Sequence, residues 1–143
     1  MNTFDRRDGT ASASARHWAR IFVFAWFFFG GIGHFVFTDV EMKIVPPWLP
    51  EPRLLVRVSG VFELLGAIGV LIPRLRRFAG WGLILLTLAV TPANVYMWQR
   101  PDLFPQIPFW ALTLRLPLQL VLLGGIAWAT RSSRLVPVPP RSC

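Results

Sequence analysis

Apolar residues along this chain collect into long runs separated by short polar or proline-rich breaks, a pattern unlike the alternation of strands. The runs are Trp18 to Phe37, Leu54 to Ile72, Phe78 to Trp98 and Phe109 to Thr130. Each approaches the ~20 helical residues needed to cross ~30 Å of hydrocarbon. The predicted fold is therefore all-α: a polytopic membrane protein built as a four-transmembrane-helix bundle. The predicted division is a disordered leader over residues 1–17, a transmembrane domain over 18–130 and a basic, proline-rich tail over 131–143. Little chain is left over, so no soluble catalytic domain fits.

Composition agrees with that pattern. Of 143 residues 54% are hydrophobic, with 12 Phe, 7 Trp and a mean hydropathy of +0.50, which puts the chain in the membrane class. The net charge of +8 would suit nucleic-acid binding, but the cations flank the apolar runs. Arg6, Arg7, Arg16 and Arg20 precede or open the first run, Arg74, Arg76 and Arg77 join the second to the third, and Arg131, Arg134 and Arg141 follow the fourth. The other two connections mix Lys43, Arg53 and Arg100 with Asp39, Glu41, Glu51 and Asp102. By the positive-inside rule both termini are cytoplasmic (N-in/C-in), and the expected location is a bacterial plasma membrane. The lipid bilayer is the expected partner, and nucleic acid is not. Thr38, Asp39 and Val40 offer no small-x-small cleavage pattern after the first run, which reads as a retained anchor.

The connections add detail. The outer loop, residues 38–53, contains Ile44, Val45, Trp48, Leu49 and four prolines, and suits an irregular segment lying at the interface or capping the bundle. Pro73 to Arg77 is short enough to make the second and third spans an antiparallel hairpin, and the tight loop from Gln99 to Pro108 pairs the third with the fourth. Pro92 and Pro117 fall within spans and should release the carbonyls of Leu88 and Thr113. Such kinks either serve packing or open a polar pocket.

The candidate chemistry lies in residues that lipid would reject: His34, Arg57, Glu63, Asn94, Arg115 and Gln119. Counted inward from the outer span ends, His34 and Arg57 are about 5 Å deep, Asn94 about 6 Å, Arg115 about 9 Å, and Glu63 and Gln119 about 14 to 15 Å. Arg115 and Gln119 share a helix face, as do Thr91 and Asn94, and Gly60, Glu63, Gly66 and Ala67 form a stripe of small residues around one acid. Arg57 points elsewhere and can snorkel outward. Elimination then predicts a Glu63–Arg115 ion pair braced by Asn94 and Gln119, either as a registering device or as part of a site.

His17 and His34 stand about 25 Å apart along one helix, too far to ligate a single haem. No metal is expected, because no His, Cys and carboxylate pattern has zinc or iron spacing. His34 follows Gly30, Gly31 and Gly33, and reads as a packing or capping residue, or else as part of the outer pocket. The single cysteine, Cys143, excludes a C-x-x-C redox motif.

Five runs, taken in order, resemble the DoxX-like family of small four-helix membrane proteins: Gly30 to Phe35, Ile44 to Pro50, Ser59 to Gly66, Pro92 to Met97 and Leu114 to Gln119. The resemblance covers about Ala19 to Trp128. It implies the four-helix fold and a link to redox or quinone-dependent complexes, with Glu63, Asn94, Arg115 and Gln119 as the matching polar positions. No cofactor signature is evident in the chain itself, so a quinone and a redox partner subunit are what the resemblance implies.

Three functions follow as expectations. One is a membrane subunit that holds a quinone or a redox partner through the outer polar cluster, with Glu63, Arg115, Asn94, Gln119, His34 and Thr91 as candidates. The second is a structural or assembly partner. The third is a small-solute transporter, which four spans could form only as a homo-oligomer. Any enzymatic activity would need a partner subunit.

Overall fold

The computed structural model describes residues 3–131, with side chains from Ala13 onward. Its helices are α1 (Thr3–Val36), α2 (Thr38–Glu41), α3 (Pro52–Leu71), α4 (Arg76–Ala89), α5 (Thr91–Gln99) and α6 (Phe109–Thr130), with short 3-10 turns at Met42–Ile44 and Pro101–Leu103. No strand occurs among the described residues. Four helical stretches are long and apolar enough to cross a membrane: Ala13–Val36, Pro52–Leu71, Arg76–Gln99 and Phe109–Thr130. Their ends match the predicted spans to within a few residues.

Two departures from the sequence reading are instructive. A disordered leader is predicted over 1–17, yet α1 already begins at Thr3. Ala11, Ala13, Ala15 and Arg16 are good helix formers, and no proline stops the helix from extending backwards. The predicted tail lies, apart from Arg131, outside the described residues. The third span is broken outright: α4 ends at Ala89, and α5 starts at Thr91 with Pro92 in its first turn. Proline suits that position because its missing N–H is not needed there.

The helices form a closed ring. α1 packs on α3 and on α6, α3 on α4, and both α4 and α5 on α6. At the end carrying the chain termini, Arg20 on α1 donates through Nε to the Ala129 carbonyl of α6 at 2.9 Å. Arg76 caps the exit of α3 by donating to the carbonyls of Val70 and Leu71 at 3.0 and 3.4 Å. The core here is thin: Val23, Phe27, Ala67, Val70, Leu83, Ile126 and Ala129. Outside it, Trp18, Phe29, Phe62, Phe78, Trp81, Leu85, Trp110 and Leu120 are all exposed. A surface so apolar suits a molecule whose solvent is lipid.

At the opposite, loop end, a second cluster of Met97, Phe104 and Leu112 takes in Ile44, Tyr96 and Ile107. Trp48 and Phe104 each meet the Tyr96 ring edge-on. The 38–53 connection therefore caps the bundle. Its last residue before α3, Glu51, has φ of 51°, a left-handed conformation that turns the chain abruptly into Pro52.

Close approach, more than burial of bulk, holds α1 to α3. In lipid the hydrophobic effect does not drive helices together, so van der Waals contact between small residues carries more of the load. A Cβ added at Gly60 would lie 2.8 Å from His34 Cβ and 3.1 Å from the Gly31 carbonyl oxygen; one added at Gly31 would lie 3.0 Å from the Gly60 carbonyl oxygen. The two helix backbones thus meet through glycine on both sides. Gly60→Ala is expected to destabilise the bundle by about 1–3 kcal/mol through overpacking. Gly124→Ala, where an added Cβ would meet open space, should be neutral or stabilising by up to about 1 kcal/mol. Thermal unfolding in mild detergent compares the two; equal losses would mean that the α1–α3 seam is not tight.

Candidate functional site

The break between α4 and α5 puts polar backbone at membrane depth, and α6 answers it. Gln119 on α6 donates through Nε2 to the Thr87 carbonyl at 3.1 Å and to Thr91 Oγ1 at 2.6 Å. Thr91 donates its own hydroxyl to the same Thr87 carbonyl at 3.3 Å. Asn94, in the first turn of α5, donates through Nδ2 to Gln119 Oε1 at 2.7 Å. One glutamine therefore bridges both halves of the broken span. The carbonyl it takes up is that of Thr87, next to the Leu88 carbonyl that Pro92 is predicted to release, at the point where α4 ends and Val90 (ψ −3°) joins it to α5.

Thr87, Asn94 and Gln119 form part of the wall of a partly open cavity of about 340 Å³ lined by all four spans. Glu63, Thr87, Asn94, Arg115 and Gln119 supply its polar lining; Trp26, Phe27, Leu86, Val90, Leu118 and Leu122 supply the apolar remainder. Thr91 is not in the lining and instead orients Gln119 from behind. Glu63, Asn94, Arg115 and Gln119 all line this one cavity.

The predicted Glu63–Arg115 ion pair is not formed. Among the described residues the close ionisable neighbour of Glu63 is His34, whose Nε2 lies 3.4 Å from Glu63 Oε1. Arg115, an exposed residue, donates through Nη1 to the Met97 thioether sulfur at 3.6 Å. The reason is steric room. Gly30 leaves a recess on α1, where an added Cβ would stand 2.7 Å from Glu63 Oε2, and the carboxylate occupies that recess. The acid is drawn toward α1, and the guanidinium is left facing the cavity.

His34 is accordingly neither a mere packing residue nor a helix cap. Its Nδ1 meets Glu41 Oε2 of α2, which folds back over the end of α1 because the helix breaks at Phe37. Thr38, buried, fastens that turn by donating its hydroxyl to the carbonyls of His34 and Phe35 at 2.6 and 3.2 Å. Glu41, Trp26, Phe27 and Thr87 are the residues that sequence reasoning passed over. Trp26, Gly30 and His34 recur at i, i+4 and i+8 on one face of α1, a signal present in the sequence. Glu41 gave none, since its placement depends on the turn at Phe37. Among the described residues, no group of three or more His, Cys, Asp or Glu converges as metal ligands.

Fold and site together define a class: a four-span helical membrane bundle with a partly polar cavity between its helices, built around an interrupted third span. Within that class, the chain belongs to the family described as Domain of unknown function (DUF8561), whose model matches residues 23–133. Comparison with curated proteins finds no match, and neither does comparison with solved structures.

Gln119→Leu should lower stability by about 1–3 kcal/mol, because it strips donors from a carbonyl buried at the helix break. A double-mutant cycle on Glu63→Gln and Arg115→Gln is expected to give coupling near zero. The cycle on Glu63→Gln and His34→Gln should give about 0.5–3 kcal/mol, as touching residues do. Reversed couplings, read from unfolding in detergent, would restore the ion pair and remove the histidine contact.

Proposed function

We propose that this chain is the membrane subunit of a quinone-linked redox complex and holds a quinone-class molecule in the cavity between its spans. The observation that carries the reading is the cavity itself. At about 340 Å³ it falls at the lower end of the roughly 300–1,000 Å³ typical of small-molecule sites. Its lining divides as a quinone headgroup requires. The Arg115 guanidinium and the second amide hydrogen of Asn94 are donors for a carbonyl oxygen, Glu63 is an ionisable neighbour, and Trp26, Phe27, Leu118 and Leu122 suit an apolar ring and tail. The resemblance of the chain to the DoxX-like family points the same way. Electrons would come from a partner subunit.

Charge asymmetry supports an orientation with both termini in the cytoplasm of a bacterial cell and the cavity in the outer half of the plasma membrane. Cys143 is the sole cysteine and makes the orientation testable. In spheroplasts a membrane-impermeant maleimide should leave it unlabelled until the membrane is opened; labelling of intact spheroplasts would reverse the topology.

The interrupted third span favours a second reading, because discontinuous helices also form the substrate sites of transporters. The two differ in outcome. Trp26 lines the cavity, so decylubiquinone titrated into nanodisc-embedded protein should quench its fluorescence saturably, and the saturable part should vanish in Trp26→Phe and weaken roughly tenfold or more in Arg115→Gln. Only linear, unsaturable quenching in all variants would defeat the quinone reading. Glu63-dependent solute flux in liposomes would then favour transport.

A further inference from the structure

The hydrogen-bonding chemistry of His34 goes beyond ligand binding. Its side chain, with those of Glu41 and Glu63, retains only 14–23% exposure, and both ring nitrogens face carboxylate oxygens: Nδ1 faces Glu41, and Nε2 faces Glu63 at 3.4 Å. His34 Nδ1 and Glu41 Oε2 are sealed from solvent and touch one another, yet neither is satisfied by a hydrogen bond. A neutral imidazole carries one N–H, so it can donate to only one of the two acids. Satisfying both contacts requires two protons shared among three groups, which leaves the triad with one net negative charge. Among the described residues, the cation that lines the cavity with it is Arg115 of α6.

The remaining charged groups on the neighbouring elements are turned away. Asp39 of α2 pairs with Arg53 of α3 at 2.9 Å on the surface, while Lys43, Glu51 and Arg57 are exposed. The two nitrogens lie on opposite edges of the imidazole, so the acids cannot share one metal ion with it. The arrangement is linear: a carboxyl at the loop end, an imidazole within α1, and a carboxyl on the cavity wall.

We propose that Glu41, His34 and Glu63 form a proton relay connecting the loop-end surface to the cavity. The step balances without any co-reactant. A protonated Glu41 gives its proton to Nδ1, Nε2 releases its proton to the Glu63 carboxylate, and the products are Glu41 carboxylate, the other imidazole tautomer and protonated Glu63. Transfer in the reverse direction, from Glu63 to Nε2 and from Nδ1 to Glu41, restores the starting tautomer. Chains of Asp, Glu and His are how proton paths are built at membrane depth, and histidine is the residue suited to passing a proton from one side to the other. The inference rests on the proposed ligand site only for what the delivered proton does there, namely protonation of an acceptor oxygen held near Glu63.

The test needs no ligand, so it fails or succeeds independently of quinone binding. Full-length protein in nanodiscs is switched from water to heavy water in an infrared flow cell at a pH where a protonated-carboxyl band is present. Glu63→Gln identifies the band. In wild type the band should shift on deuteration quickly, and in Glu41→Gln, a mild change in the cap, it should shift on the order of a hundredfold more slowly or worse, the lower end of what one positioned acid–base group contributes. His34→Gln should slow it likewise, while circular dichroism confirms the fold. Unchanged exchange in both folded variants would overturn the relay, because protons would then reach Glu63 through the cavity mouth. Absence of any band assignable to Glu63 across the pH range would overturn it too.

Discussion

Hydrocarbon offers no partner to a backbone carbonyl, so any interruption of a membrane helix must be satisfied from within the protein. Here that constraint falls on the Thr87 carbonyl, and the Gln119 side chain meets it from across the bundle. Much else depends on this contact. It ties α6 to both halves of the third span and joins the Asn94 amide to the Gln119 side chain. Thr87, Asn94 and Gln119 all line the cavity, so the atoms that satisfy the break also form its wall.

The opposite side of the bundle solves a different problem by the opposite means. α1 and α3 meet through Gly31 and Gly60, with no room for a Cβ on either. The same glycine-rich stretch of α1 recesses at Gly30 and admits the Glu63 carboxylate. Tight packing and acid placement are thus one feature. It moves Glu63 out of reach of Arg115 and into contact with His34, which separates an acid from a guanidinium within a single small volume.

How much of this could be read from sequence depended on the range of the interaction. The spans were legible because hydrophobic length is a local property, and Phe109–Thr130 matches its predicted bounds. The polar wall was legible because Arg115 and Gln119, like Thr91 and Asn94, share helix faces at fixed spacing. The ion pair was misjudged because elimination treated charge and depth as sufficient; the deciding element was the absence of a side chain at Gly30. Glu41 escaped for a related reason: its contact with His34 depends on the chain reversing at Phe37, which Thr38 stabilises through backbone carbonyls that no residue pattern announces.

The central claim is that the cavity is a place for a molecule and not merely a by-product of packing. Native mass spectrometry of the protein released from mild detergent, wild type beside Glu63→Gln, addresses it directly. A discrete small molecule should be retained by the wild type and lost or much reduced in the variant. Identical spectra carrying only bulk lipid, or none, from two folded proteins would contradict it and leave the polar cluster with a purely structural role.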